Sequence, residues 1–448
     1  MSRRLAFLMR AVPLPVRLLA TVDPGDCGSQ RRTFQAPRVP SAPSSGCPKS
    51  AALDTLRGMA LPTIRLATDR LPPGPWIYGR QTEPAPGVEN GSLVEVLDDA
   101  DRFIGHALYN AQSDIRLRIL ARGKRSELDK PREFLLRKIS AAMRLRKKVL
   151  RLPEVTDAWR VVHGEGDDLP GLVIDRIGTT FVCEHHALGF WNLREEVEWA
   201  LGQLDQDAHV IHRVPKSARN HEGFDPQEGG GEPGDVELEI TEHGLKYPVR
   251  PGFGHKTGWF CDQRDNRKTI GSLAARRDVL DLCCNAGGFA LQAAAQGAKR
   301  VRAVDLDEVV LDRAAAAAEL NDLPVQFRHA DAFDVLREVR SDSRRPDLIV
   351  LDPHKIISGK ATLEVGRKRY LDLNSLALEA VAPGGLLATF SCSGALDVPS
   401  FLGILFQATR RAEREVRLIR QLEAGPDHPQ RPEFPRSRYL KGALLAVD

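Results

Sequence analysis

Cys392 closes the apolar run GLLATFSCS, and Asp352 closes the run PDLIVLD. A thiol in such a place reads either as a buried packing residue or as a nucleophile aimed into a ligand crevice. Asp352 heads D-P-H-K, in which a rigid turn aims a carboxylate and a carbonyl at whatever lies beyond the strand, for instance the edge of a heterocyclic base. Three more acids end or interrupt apolar runs: Asp281 in VLDLCC, Asp305 in RVRAVDL and Asp331 in PVQFRHAD. Asp305 stands where a ribose-binding acid stands at the end of a second strand.

Five strand-like runs must position these groups. VLDLCC, residues 279–284, is long enough for a buried parallel strand and too short for a helix. NAGGF follows, with Asn285, Gly287, Gly288 and Phe289, and then ALQAAAQGA, a helix-forming stretch that stops at a glycine. Strand, glycine turn and helix open a doubly wound α/β sheet, whose strands deliver ligand-binding groups at their C-terminal ends. The turn lacks G-x-G-x-x-G, so D-L-x-x-N-x-G-G-F suits an adenosyl-type ligand better than a pyrophosphate. Upstream, GFGHKTGWFCDQRDNR places glycines around a lysine without a Walker ending and is expected to lie over the same pocket.

At 448 residues, the chain exceeds what one hydrophobic core organises. Its 42% hydrophobic and 28% charged residues are those of a globular protein, and no apolar run approaches a membrane span. The seven cysteines, at 27, 47, 183, 261, 283, 284 and 392, contain no C-x-x-C pair, which suits reduced thiols in a cytoplasmic enzyme. Cys283 and Cys284 read as packing residues. The net charge of +4 is misleading. Residues 1–58 hold nine Lys/Arg against three Asp/Glu, so the rest of the chain is net negative by two. Any nucleic-acid contact must then come from local basic patches.

The chain divides into four stretches. Residues 1–58 read as a disordered leader, a transit peptide or, as we favour, the product of a start placed upstream of Met59. Residues 62–125 show strand alternation in SLVEVLDD, RFIGHALYN and IRLRILA, with an exposed aromatic pair expected at Trp76 and Tyr78. Residues 130–250 form an α+β region. It opens with a helix over 132–151 whose apolar side chains Phe134, Leu135, Ile139, Met143 and Val149 share a face and which carries eight Lys/Arg against one Glu. That imbalance leaves two readings open, a solvated helix face and a phosphate-facing surface. A hairpin or meander, a helix, a further strand and a hairpin follow, with a Gly- and acid-rich loop over 220–235. His185 and His186 have no accompanying ligand set, so no metal site is expected. Residues 251–448 carry the doubly wound sheet.

PWIYG, HGEGDDLPGLVIDR, HKTGWFCDQRDNR, VLDLCCNAGGFAL, AVDLD, VLDPHK, TFSCSG and HPQRPEFPRSRYLKG occur in this order from about Arg65 to the C-terminus. In these motifs the chain resembles the bacterial 23S rRNA cytosine-5 methyltransferases of the RlmI type. The resemblance implies a small β-barrel PUA-like RNA-binding domain, a central α+β domain and a class I (Rossmann-like) methyltransferase domain using S-adenosyl-L-methionine. It also implies ribosomal RNA or a large-subunit precursor as partner, and a homodimer.

By the same resemblance, Asp281, Gly287 and Gly288 shape the methionine end of the cofactor site, with Gln263 and Arg264 nearby, and Asn285, Phe289, Leu306 and Ala332 also bind the cofactor. Asp305 binds the ribose hydroxyls, and Asp331 the adenine amine. Cys392 is the nucleophile and Asp352, beside the cofactor, holds the cytosine. Pro353, His354 and Lys355 would meet the base, and Trp76, Arg144, Arg146, Lys147 and Lys148 the RNA. Thiolate addition at C6 would make C5 nucleophilic, with the base flipped or in a loop. The family reads D-P-P-K where this chain has His354, which loosens the turn and adds a titratable group. Two other readings stay open at this point: an exocyclic-amine methyltransferase relying on Asp352, and a catalytically weak RNA-binding or ribosome-assembly factor.

Overall fold

The computed structural model describes residues 61–68, 72–226, 237–254 and 256–448. The expectations for residues 1–58, and for most of the loop over 220–235, lie outside these.

The first sheet has five strands: β1 (Thr63–Arg65), β2 (Trp76–Tyr78), β3 (Leu93–Leu97), β4 (Phe103–Tyr109) and β5 (Ile115–Arg122). Their order is β1-β3-β4-β5-β2. Alternate residues, among them Ile64, Ile77, Val94, Val96, Leu117 and Ile119, bury one face. Trp76 and Tyr78 are not an exposed pair. They belong to β2, antiparallel to β5, and both are half-buried.

Beyond it, β6 (Ala158–His163), β7 (Leu172–Ile177) and β8 (Thr180–His185) form the expected antiparallel meander, and β9 (His209–Arg213) joins β8 in parallel. The basic helix runs over Pro131–Arg144, then loosens into a π-type turn at Leu145–Val149. Phe134, Leu135, Ile139 and Met143 enter a core shared with Leu108, Trp159 and Phe190. Val149 does not: the extra residue per turn rotates it out, and it is 69% exposed. The hairpin β10 (Leu238–Glu242) and β11 (Leu245–Val249) packs its Ile240, Tyr247 and Val249 against Trp259 and Leu291.

The remaining strands build one seven-stranded sheet. These are β12 (Asp278–Leu282), β13 (Arg300–Asp305), β14 (Gln326–His329), β15 (Leu348–Leu351), β16 (Gly385–Ser391), β17 (Val416–Glu423) and β18 (Lys441–Val447). Their order is β14-β13-β12-β15-β16-β18-β17. The first five in chain order are parallel, and β18 returns antiparallel between β16 and β17. The chain winds outward from β12 to β14, then restarts on the other side at β15, so a crevice opens above the C-terminal ends of β12 and β15. Because β12 is buried on both faces, its sequence reads as a continuous apolar run rather than an alternation. It ends two residues earlier than the run itself, since Cys283 takes a left-handed φ of 60° and starts the turn.

Candidate active site

The glycine turn is built by backbone conformation. Cys283, Asn285 and Gly287 all have positive φ, at 60°, 48° and 73°, which turns the chain sharply from β12 into the helix Gly288–Ala295. A Cβ on Gly287 would lie 2.7 Å from Leu291 Cδ1, and one on Gly288 would lie 2.5 Å from Arg267 Cδ. Only glycine fits at either place. Phe289 is buried and packs on Phe390, with ring centroids 5.6 Å apart.

Asp281 is fully buried in β12. Its Oδ2 accepts a hydrogen bond from the Ala290 N–H at 3.0 Å, whereas Oδ1 is buried without a partner. Burial pushes its pKa well above the usual carboxylate range, and Asp352 and Asp305 add to the effect. An orphaned acceptor at the head of a glycine cradle is a place for a ligand's donor group. Asp305, at the end of β13, holds the turn with Oδ2 accepting from the Asn285 N–H at 2.9 Å. Leu306 beside it is 59% exposed, an apolar surface open to a flat ring. Asp331 caps the helix Ala332–Arg340, Oδ1 accepting from the Phe333 N–H at 2.8 Å, which leaves Oδ2 for a ligand.

On the other side of the crevice, β15 and β16 are neighbours in parallel register, with Leu351 opposite Thr389. The residues that follow them meet: Cys392 Sγ lies 4.0 Å from the Pro353 carbonyl oxygen. Cys392 is half-buried, and its two serine neighbours are fully buried. Ser391 Oγ donates to Tyr370 Oη at 2.9 Å, and Ser393 Oγ lies 3.1 Å from the same hydroxyl while accepting the Ile357 N–H at 3.0 Å. The sulfur is therefore held on a turn pinned on both sides. Burial pushes the Cys392 thiol up to about 11, negative Asp352 adds to this, and Lys256 opposes it.

Asp352 is pushed up to about 7, by burial first and then by the negative charge of Asp262, so it is largely neutral at pH 6 and can donate a hydrogen bond. Its Oδ2 accepts from Gln263 Nε2 at 2.8 Å. Gln263 is itself held by Asn266, whose Nδ2 donates to Gln263 Oε1 at 2.6 Å. Pro353 is buried, while His354 and Lys355 are exposed at the mouth.

Two expected site residues turn inward instead. Arg264 is fully buried, and its guanidinium donates to both carboxylate oxygens of Asp427 at 3.0 Å. A second carboxylate, Asp265, takes its Nε, so the side chain is committed to joining the segment before β12 to the loop after β17. Arg146 is likewise fully buried, paired with Asp167 and donating to the Asp427 carbonyl oxygen at 2.7 Å. The loosened turn that exposes Val149 is the one that turns Arg146 in. Arg144 and Lys148 remain exposed, and Lys147 is half-buried. Trp76 lies in a cleft of about 490 Å³ between the first two sheets, its Nε1 donating to Glu165 Oε1 at 2.9 Å and its ring meeting Phe434 edge-on at 4.8 Å.

Sequence reasoning missed several members of this neighbourhood. Lys256 pairs with Asp262, which also accepts from Tyr439 Oη at 2.6 Å. Lys441 Nζ donates to the carbonyl oxygens of Ser393 and Leu396 at 2.6 and 2.7 Å. The signal was present in GFGHKTG and RYLKG, but only the fold shows what the two lysines reach. His185, fully buried, stacks its ring toward His212 with Nε2 2.9 Å from Nδ1, a contact internal to the second sheet.

Comparison with known proteins agrees with this geometry. A family described as S-adenosylmethionine-dependent methyltransferase matches residues 209–441, and one described as a PUA-like domain matches residues 74–122. Ribosomal RNA large subunit methyltransferase I of Pseudoalteromonas atlantica is 34% identical over 379 residues, covering 83% of this chain and 95% of its own. The protein of that name from Erwinia tasmaniensis is 35% identical over 380 residues, with the same coverage. Among solved structures, SMU.776 complexed with SAH superimposes with a TM-score of 0.72 at 22% identity, covering 87% of this chain and 100% of that one. At that identity the likeness shows the fold.

Proposed function

The chain belongs to the S-adenosylmethionine-dependent methyltransferase family that includes these large-subunit rRNA enzymes, and from that premise we propose that it forms 5-methylcytosine in 23S rRNA through a covalent Cys392 adduct. The observation that carries the reading is the meeting of Cys392 with the Asp352–Pro353 turn at the mouth of the crevice. An exocyclic-amine methyltransferase needs the carboxyl and carbonyl of that turn but has no use for a thiol.

The residues that would hold S-adenosylmethionine fit it. Asp281 offers a buried, unpaired acceptor, Gly287 and Gly288 leave room for a close approach, and Asp305, Leu306 and Asp331 line the way outward. When bound, this cofactor supplies an electrophilic methyl group on a positively charged sulfur.

The chain's own residues make the ring reactive. Cytosine C5 is a poor nucleophile. Cys392 Sγ adds as thiolate to C6, and the electron pair of the C5–C6 double bond moves toward C5 and the N3 edge. Asp352, near neutral, donates at that edge and offsets the developing charge. After methylation C5 carries one proton too many. Its loss to a base, together with departure of the Cys392 thiolate, restores the double bond. The target base must leave its stack to reach this turn.

The exposed Arg144 and Lys148 and the cleft around Trp76 would lead the RNA toward the site, with residues 62–125 as the RNA-binding domain, 130–250 as the central domain and 251–448 as the catalytic one. We place this activity in the cytoplasm and on a homodimer. Mapping methylcytosine in 23S rRNA from cells with and without the protein tests the assignment. One cytosine should lose its C5 methyl group in the deletion; an unchanged methylcytosine map contradicts it.

A further inference from the structure

Lys441 is the first residue of β18, paired in register with Ser391 at the end of β16, one residue from Cys392. It is 3% exposed, which is unusual for an ammonium. Its Nζ donates to the carbonyl oxygens of Ser393 and Leu396 rather than to a carboxylate. Those two carbonyls belong to the turn that begins at Cys392, so the lysine grips the far side of the turn that Tyr370 holds from the other. A buried cation satisfied only by carbonyl dipoles is costly. The most economical reason to keep one there is an anion that forms beside it.

We propose that Lys441 is a positioning residue for the reaction, fixing the Ser391–Leu396 turn and supplying the positive charge against which the Cys392 thiolate forms. This rests on reading Cys392 as the nucleophile. The charges around the pair are consistent with it. Burial brings Lys441 down to about 8, and Cys392 is the first influence opposing that fall, followed by Asp397. Around the sulfur, Asp352 and Asp262 disfavour ionisation, Lys256 favours it, and the Tyr370 hydroxyl lies across the turn. The bonds of Lys441 to the Ser393 and Leu396 carbonyls, and its pairing with Ser391, are what put its charge on the turn that carries the sulfur.

The test reads sulfur ionisation directly, in the full chain without RNA or cofactor. Alkylation of Cys392 by iodoacetamide is followed against pH, with the site resolved by peptide mass spectrometry. K441M is expected to move the midpoint up by about one pH unit and to slow alkylation at pH 8 about tenfold, and K441R to restore both. K441Q keeps a donor for the carbonyls but no charge. It is expected to follow K441M, and it decides the matter should K441M fail to fold. Midpoints for the uncharged variants that coincide with the wild type overturn the proposal. Failure of the cytosine reading is a separate result, seen as methylation that survives in C392A.

Discussion

Gln263 Nε2 donates to Asp352 Oδ2 at 2.8 Å, joining the segment that precedes β12 to the turn that follows β15. This contact favours the charged carboxylate, yet burial and Asp262 outweigh it and leave Asp352 at about 7. A carboxyl raised above its unfolded value stabilises the fold fully below the ordinary carboxylate range, near pH 4. That contribution is lost as pH rises through about 7. The protein without ligand should therefore lose stability between pH 4 and pH 7. D352N should flatten the slope and gain about 2 kcal/mol at pH 8, after allowance for partial solvent screening. Denaturant melts of both proteins across that range check this; parallel curves count against it.

Cofactor affinity should carry a proton signature through Asp281. Its folded value is raised by burial, so pairing with a ligand's donor favours ionisation and releases a proton. Calorimetry of S-adenosylmethionine binding in buffers of different ionisation enthalpy should show net proton release. D281N should abolish it and weaken binding at least tenfold.

Gly288→Ala is a sharp test of the cradle. The new Cβ would meet Arg267 Cδ, and Arg267 cannot retreat because its guanidinium is held by both oxygens of Glu242 at 2.6 Å. The variant should lose about 1–3 kcal/mol of stability and most of its S-adenosylmethionine binding. Thermal melts and calorimetry read the two effects separately.

The basic helix should split by residue. R144E/K148E should weaken RNA binding and reduce its salt slope by about one per lost phosphate contact, with an unchanged melting temperature. R146M should instead destabilise, because it leaves Asp167 without its bidentate partner. R264M should behave likewise, costing about 3–5 kcal/mol by taking from buried Asp427 its bidentate guanidinium partner. Filter binding over a salt series, alongside denaturation, distinguishes these outcomes.

The doubly wound sheet was legible because parallel strands buried on both faces write short apolar runs, and each run here ends in a polar residue that the topology gathers at one edge. The positions of Asp281, Asp305, Asp352 and Cys392 in or just after these strands were legible in that way. Arg146 and Arg264 were not read correctly, since a charged residue in a basic or polar stretch gives no sign of facing Asp167 or, 163 positions away, the buried carboxylate of Asp427. Asp427 and Lys441 escaped for the same reason: their partners lie elsewhere in the chain, in the helix that starts at Arg264 and in the turn after β16. The π-type turn at Leu145–Val149 also left no mark in the hydrophobic pattern, because an unbroken run of helix formers can hold either ladder.

The proposed chemistry depends on the sulfur of Cys392, and in vitro methylation by C392A tests it most directly. The variant should bind S-adenosylmethionine like the wild type and leave cytosine C5 in large-subunit RNA unmethylated. Methyl transfer to C5 at wild-type rate by C392A would contradict the covalent mechanism outright.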